Sequence, residues 1–215
     1  MFGLFKKRAQ SPQHEAQPSD PIEDLWAWVV ENRSALVSDV ESFGTARATT
    51  ALAIEKLGSR LRQIDPGLAH EIGMADPQTL DIVVSAEGAK ALFPLVIEVV
   101  NRVPKVAGLK ATAFRQRNPG LSLEVLGHKV TAETVSYVSI VEGDKLGLDL
   151  FFDIDLDERG RVMIGFLLLD MTLGEYDVGT RLGSIEFREG RAPAGAKPLS
   201  ALAEQVDAAQ HGMRH

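Results

Sequence analysis

The stretch "DMTLGEYDVGTRLGSIEF", Asp170 to Phe187, holds two carboxylates and a phenol, Glu175, Tyr176 and Asp177, between Gly174 and Gly179. Carboxylates beside a phenol can serve general acid–base chemistry or hold a hard cation. The same spacing also serves a plainer purpose. An apolar helix needs an abrupt stop, and Gly174 offers the left-handed C-cap position at little cost. Gly179 and Gly183 then allow a tight path into a following strand. Glu175, Asp177 and Arg181 can pair with one another or satisfy loop amides, while Tyr176 can cover a core edge with its hydroxyl in water. The expectation is a helix-to-strand corner, with contact to a substrate or partner as the alternative.

A second group of carboxylates lies in "LGLDLFFDIDLDERG". Leu146, Leu148, Leu150, Phe152, Ile154 and Leu156 alternate with Gly147, Asp149, Phe151, Asp153 and Asp155, which is the period of a strand with one apolar and one acidic face. A calcium loop starting at Asp153 needs Gly at its sixth position and Glu at its twelfth, but Glu158 and Ile164 stand there. The five histidines, His14, His70, His128, His211 and His215, make no paired ligand spacing, so no metal site is expected. Nucleophile and phosphate-loop motifs fail as well. Ser85 in "VVSAEG" lacks the G-x-S-x-G frame and suits helix capping, and "SAEGAK" lacks the glycine frame and Lys-Ser/Thr pair of a P-loop. No cofactor is expected.

The elements that must position these groups follow from composition and pattern. A chain of 215 residues, 45% hydrophobic and 25% charged, has the material for one domain with a sizeable core. There is no cysteine, which excludes disulfides and thiol chemistry and is compatible with a reducing, cytoplasmic setting. The net charge of -7 argues against nucleic-acid binding. It is unevenly spread: 142–158 carries seven acids and one lysine, and 102–117 carries five bases and no acid. No apolar run is long enough for stable membrane insertion. The start, "MFGLFKKR", allows weak membrane contact through Phe2, Leu4 and Phe5 backed by Lys6, Lys7 and Arg8, although a disordered tail over 1–19 is the preferred expectation.

Asp20, Pro21 and Glu23 open a helix, and a second follows Gly44 and closes at Pro66, so 20–65 reads as a helical hairpin. The core is expected over 66–190: a β-hairpin from "LAHEI" and "TLDIVVS", a helix over 88–102, the strand "LKATAFRQR", extra strands in "LSLEVLG" and "VSYVSIV", the acidic strand, a buried helix over 160–173 and the strand "RLGSIEF". A linker, short helix and tail occupy 191–215, and no internal repeat is visible. This order gives an α+β fold, a ferredoxin-like sandwich with both core helices on one face of a mostly antiparallel sheet.

The stretch "DIVVSAEGAKALFPLVIEVVNRVPKVAGLKATAFRQR" resembles the pattern of an uncharacterised bacterial domain family: strand, "SA-x-G", helix with "FP", then "K-x-x-AFR-x-R". "LLLDMTLGEYDVGTRLGSIEF" resembles the same family's closing helix and strand. The resemblance spans roughly 68–187 and implies a fold similar to that of the regulator of ribonuclease activity B, an acidic protein that acts by binding an enzyme. It implies no catalytic residues.

The expected function is a non-enzymatic bacterial adaptor or regulator that binds a basic segment of another protein through the acidic face. Asp149, Asp153 and Asp155, with Glu175, Tyr176 and Asp177, are the candidate binding residues. The alternatives are a hydrolase or metal-dependent enzyme using Asp149, Asp153, Asp170, Glu175 or Asp177, and a small acidic secretion-chaperone-like protein.

Overall fold

A computed structural model describes residues 20–42, 51–120 and 122–212. The expectations for a tail over 1–19 and for membrane contact by Phe2, Leu4 and Phe5 lie outside these residues.

The first helix, α1 (Pro21–Glu31), starts as its sequence requires, with the Asp20 side chain accepting from the Ile22 N–H at 2.9 Å. It stops earlier than expected. The Asn32 backbone N–H and its Nδ2 both donate to the Trp28 carbonyl at 2.9 Å, and the chain restarts as α2 (Arg33–Ser42). A third helix, α3 (Leu52–Ile64), completes the N-terminal group, so three helices stand where a hairpin of two was expected. The expected start of the second helix falls within 43–50, outside the described residues.

The remainder is mixed α and β, as the pattern required, but the strands do not form one sheet. β1 (Ala69–Asp76) and β2 (Thr79–Ser85) are an antiparallel hairpin. A short 3-10 turn and α4 (Phe93–Asn101) then return the chain to β3 (Leu109–Ala113), which pairs parallel with β2. A small hairpin, β4 (Leu123–Val125) and β5 (His128–Val130), follows by itself. β6 (Ser136–Glu142) and β7 (Lys145–Phe152) are again an antiparallel hairpin. The helices α5 (Glu158–Leu173) and α6 (Glu175–Arg181) then lead to β8 (Leu182–Glu189), parallel to β7. β9 (Lys197–Pro198) edges β6, and α7 (Leu202–Gly212) packs on α5.

The architecture is therefore a repeat of one motif, hairpin–helix–parallel strand, in two units with separate cores. The middle strands correspond: "LDIVV" from Leu80 to Val84 and "LDLFF" from Leu148 to Phe152. In each, the first, third and fifth residues are buried, and the aspartate turns outward to bond the neighbouring parallel strand. Asp81 meets Lys110 and Thr112, and Asp149 meets Arg188. The first core joins α1 to α4 with Leu80, Ile82 and Val84, and the Trp26 indole N–H is satisfied by the Val99 carbonyl at 2.9 Å. The second core joins Leu148, Leu150 and Phe152 to Ile164, Leu168, Leu169 and Leu173 of α5.

The single sheet of the expected ferredoxin-like sandwich is thus replaced by three sheets, with orders β1-β2-β3, β4-β5 and β8-β7-β6-β9. Each middle strand takes both neighbours from its own unit. Beyond β3, the positive φ of Phe114 (65°) turns the chain away, and the "RQR" segment expected to extend the strand bonds to α5 and α6 instead.

The helix expected to be buried over 160–173 is buried on one side only. Leu169 is in the core, but Phe166 is 43% exposed and Leu167 faces a cleft. An α5 that is apolar on nearly every side has one face for β7 and another left over.

Candidate functional site

The "GEYD" corner is where the two units meet. Gly174 has φ 83°, a value that glycine adopts without strain, and ends α5. Next to it Glu175, 1% exposed, reaches into the first unit. Its Oε1 accepts from the N–H groups of Ala86 (2.9 Å) and Gly88 (3.2 Å), and its Oε2 from that of Arg115 (3.2 Å). The expectation that Glu175 satisfies loop amides is met, and the loop belongs to the other unit. Ser85 does not cap a helix: its hydroxyl oxygen accepts from the Glu87 N–H at 3.0 Å, which stabilises the turn that presents these amides. The corner itself is helical, since α6 fills 175–181.

Two further layers hold the junction. Tyr176 packs on Phe93 and Phe114, with ring centroids 5.7 and 5.3 Å away, and Phe93 and Phe114 lie 4.7 Å apart. Phe93 also explains Gly179, where an added Cβ would lie 2.5 Å from the Phe93 ring. Asp177 bonds Arg181 at 2.6 Å and Arg117 at 2.9 Å, and Arg117 also donates to the Leu173 carbonyl at 2.9 Å and meets Asp207 at 2.8 Å. These contacts fix the units relative to one another.

Beside this junction lies a cleft of about 610 Å3, between the loop after β2 on one side and α5, α6 and β8 on the other. Its apolar floor is formed by Met163, Phe166, Leu167, Val178, Leu182 and Ile185. Met163 is 66% exposed, a high value for a large apolar side chain on a helix packed into a core. Phe166 is held edge-on against Phe187, 5.1 Å between centroids.

One end of the cleft is charged. Arg115 binds Glu71 at 2.5 Å, contacts Glu87 closely, and reaches Asp170 at 3.5 Å. Lys90 stands on the rim. Asp170 is 8% exposed and lies on the cleft wall. Burial, reinforced by the Glu175 carboxylate, pushes its carboxyl up to about 7, with Arg115 pulling the other way. A single long contact to a shared guanidinium is weak compensation for a carboxylate so far from water. Asp170 can therefore accept a donor from an occupant of the cleft.

The expected site residues separate into two places. Glu175, Tyr176 and Asp177 belong to the junction. Asp149, Asp153 and Asp155 belong to β7 and the segment after it, where Asp149 meets Arg188 at 3.2 Å and Asp153 meets Arg191 at 3.3 Å. The partners come from β8 and the segment beyond it, rather than from the basic segment 102–117, whose Lys110, Arg115 and Arg117 serve Asp81 and the junction. Asp155 is exposed and makes no ion pair among the described residues. Also among the described residues, no three His, Asp or Glu side chains converge where a metal ion can be held, and no helix is long and apolar enough to cross a membrane.

Met163, Phe166, Lys90 and Arg115 were not singled out from sequence. A signal existed in "VMIGFLLLDM", which carries more apolar side chains than one sheet contact can cover.

The chain matches no family model, no curated protein and no solved structure.

Proposed function

We propose that this protein is a non-enzymatic adaptor or regulator that binds another protein, and that the cleft seats a partner segment with an apolar centre and a basic flank. The observation that carries the reading is the exposure of Met163 and Phe166 on the floor of a cleft whose charged end sets Glu87 and Asp170 beside Lys90 and Arg115. Apolar surface held open to water costs about 25 cal/mol per Å2 relative to burial, so a matching segment gains by covering it. The volume lies in the range of ligand-binding clefts. Carboxylates outnumber cations around Arg115, which favours a lysine or arginine at that end.

The acidic face of β7 is the competing surface for the same activity. Asp149 and Asp153 already have arginine partners, yet exposed pairs of this kind contribute only about 0–1 kcal/mol each and open readily. The likeness of fold to the regulator of ribonuclease activity B that the sequence resemblance implies belongs to this proposal only as the class of activity it suggests, binding to an enzyme. A cytoplasmic setting belongs to it too, supported by the absence of cysteine.

One observation favours a second reading. A carboxyl raised to about 7 on a cleft wall is suited to proton transfer near neutral pH, so Asp170 would be the acid–base group of a hydrolase.

A displayed peptide library selected on the full chain tests these readings. Selected peptides should be apolar and basic, and should bind the Phe166→Ser variant at least about tenfold more weakly, a loss of ~1.4 kcal/mol. Binding that survives Phe166→Ser but is lost when Asp149, Asp153 and Asp155 are all changed to Asn moves the site to the acidic face. Failure to select any peptide, together with ester or amide hydrolysis lost in Asp170→Asn, replaces the adaptor with the enzyme.

A further inference from the structure

We infer that a second copy of this chain docks on the free edge of β6, strand against strand in opposite directions, so that two β8-β7-β6 sheets become one. The inference goes beyond the cleft, which borders β8 on the far side of β7 from β6.

The edge itself is incomplete. β9 pairs with β6 only at Ser136 and Tyr137, and from Val138 to Glu142 the strand has no neighbour on that side among the described residues. Successive residues of a strand turn their N–H and C=O groups to opposite edges. β6 and β7 close their hairpin at Glu142 and Lys145 without a register shift, and the Leu199 N–H reaches the Val135 carbonyl at 2.8 Å on the β9 side. The backbone groups of Ser139 and Val141 therefore point to the uncovered edge. The strand is held ready by α7, where Gln205 accepts from the Tyr137 hydroxyl at 2.8 Å and donates to Ser139 Oγ at 2.9 Å.

The side chains agree with the backbone. Val138, Ile140 and Val141 are all exposed, Ile140 by 61% and Val141 by 78%. The stretch "YVSIV", 137–141, has no charge, proline or glycine and is rich in β-branched residues. Open edges are ordinarily guarded by charges, proline, bulges or a covering segment. The other outer strands carry exposed charges: Glu71 on β1, Lys110 on β3, and Glu186 and Arg188 on β8. From Val138 to Val141, β6 has none of these guards.

Two features select a second copy as the occupant. An antiparallel edge complements itself, because a two-fold rotation sets the N–H and C=O groups of one strand against the C=O and N–H groups of the other. An uncharged stretch brings no like charges together, and Glu142 at its end is already engaged by the Ser184 N–H and hydroxyl. The second feature is the charge at the two ends. Asp144 at the hairpin tip and Lys197 on β9 are exposed and make no ion pair among the described residues. Within one chain they cannot meet, since Lys197 stands opposite Tyr137, roughly 20 Å along the strand from the tip. Opposite strand directions bring the tip of each copy to the β9 end of the other, so the pair forms twice.

The test is sedimentation of the full chain over about a hundredfold range of concentration. It should show a monomer–dimer equilibrium with a dissociation constant on the order of 10 µM, the weak end expected of so short an edge. Exchange of the Ser139 and Val141 amides should slow as concentration rises. Val141→Pro removes a donor that β7 does not use, so it should leave the urea melt of dilute protein nearly unchanged and weaken the dimer at least about tenfold. Should that variant fail to fold, Ile140→Lys reads the same contact from an exposed side chain. Asp144→Lys should also weaken the dimer, and adding Lys197→Asp should restore it. A monomer at every concentration overturns the proposal. So does a dimer that Val141→Pro and Ile140→Lys leave intact, which places the contact elsewhere. Growth beyond two copies overturns it as well, because a two-fold pairing closes. A charge exchange that restores nothing overturns the antiparallel arrangement.

Discussion

Glu175 and Arg115 bind one another in both directions: the Glu175 N–H donates to the Arg115 carbonyl at 3.0 Å, and the Arg115 N–H donates to Glu175 Oε2 at 3.2 Å. Sixty positions separate them in sequence: Arg115 lies just beyond β3 of one unit and Glu175 begins α6 of the other. The reciprocal pair makes the junction a specific joint, because sliding one unit past the other breaks both bonds together.

Glu175→Ala should therefore weaken the protein by about 2–4 kcal/mol, since it leaves the buried N–H of Ala86 and the amides of Gly88 and Arg115 without their acceptor. Urea melts give the magnitude. Hydrogen exchange gives the location, with the amides of Ala86, Gly88 and Arg115 expected to speed up most. A loss below ~0.5 kcal/mol would mean that water replaces the carboxylate and that the joint is held by the aromatic contacts alone.

Asp170 should make stability depend on pH. Its folded-state carboxyl titrates near 7, above its value in the unfolded chain, because burial and Glu175 oppose the charge while Arg115 favours it and Glu87 adds a small further upward push. The folded state binds the extra proton, so the contribution is fully present below about pH 4 and fades as pH rises toward and through 7. Asp170→Asn should remove this dependence. The variant should equal or exceed the unaltered protein in stability at pH 8, by up to a few kcal/mol, and the gap should narrow at pH 5. Melts of both proteins at the two values decide it. A variant less stable at pH 8 than the unaltered protein would show that the Arg115 contact outweighs burial.

The elements were legible because each carries its own period or cap: the alternation of β7, the Asp20–Pro21 start of α1, and the glycine stop at Gly174. Their assembly was not. Alternation marks Leu148, Leu150 and Phe152 as an inward face without saying which helix covers it or which strand lies alongside, so one sheet and two sheets give the same local pattern. The repeat was hidden because it is one of burial and connection, and only "LDIVV" and "LDLFF" preserve it in letters. Glu175 was correctly suspected of binding loop amides, but those amides lie 89, 87 and 60 positions away, which no local spacing encodes. The cleft stayed hidden for a related reason: Phe166 and Phe152 are alike as sequence, both large and apolar in apolar runs.

Their environments now predict opposite behaviour. Phe152 is 1% exposed among the side chains of the second core, and truncating it to alanine removes buried area and leaves a cavity that the surrounding β-sheet and α5 cannot fully close. Phe152→Ala should cost about 3–5 kcal/mol. Phe166 is 43% exposed and its aromatic contact is one edge against Phe187. Its replacement by serine should cost no more than about 1 kcal/mol, the scale of one aromatic pair at a partly exposed site. Chemical melts of the two variants, run beside peptide binding, separate structure from recognition. Phe166→Ser should keep the fold and lose the peptide, whereas a milder change at the other site, Phe152→Leu, should lose stability and keep the peptide at temperatures where the protein is folded. If Phe166→Ser costs as much as Phe152→Ala, Phe166 is part of the core, and the exposed floor on which a binding role rests does not exist.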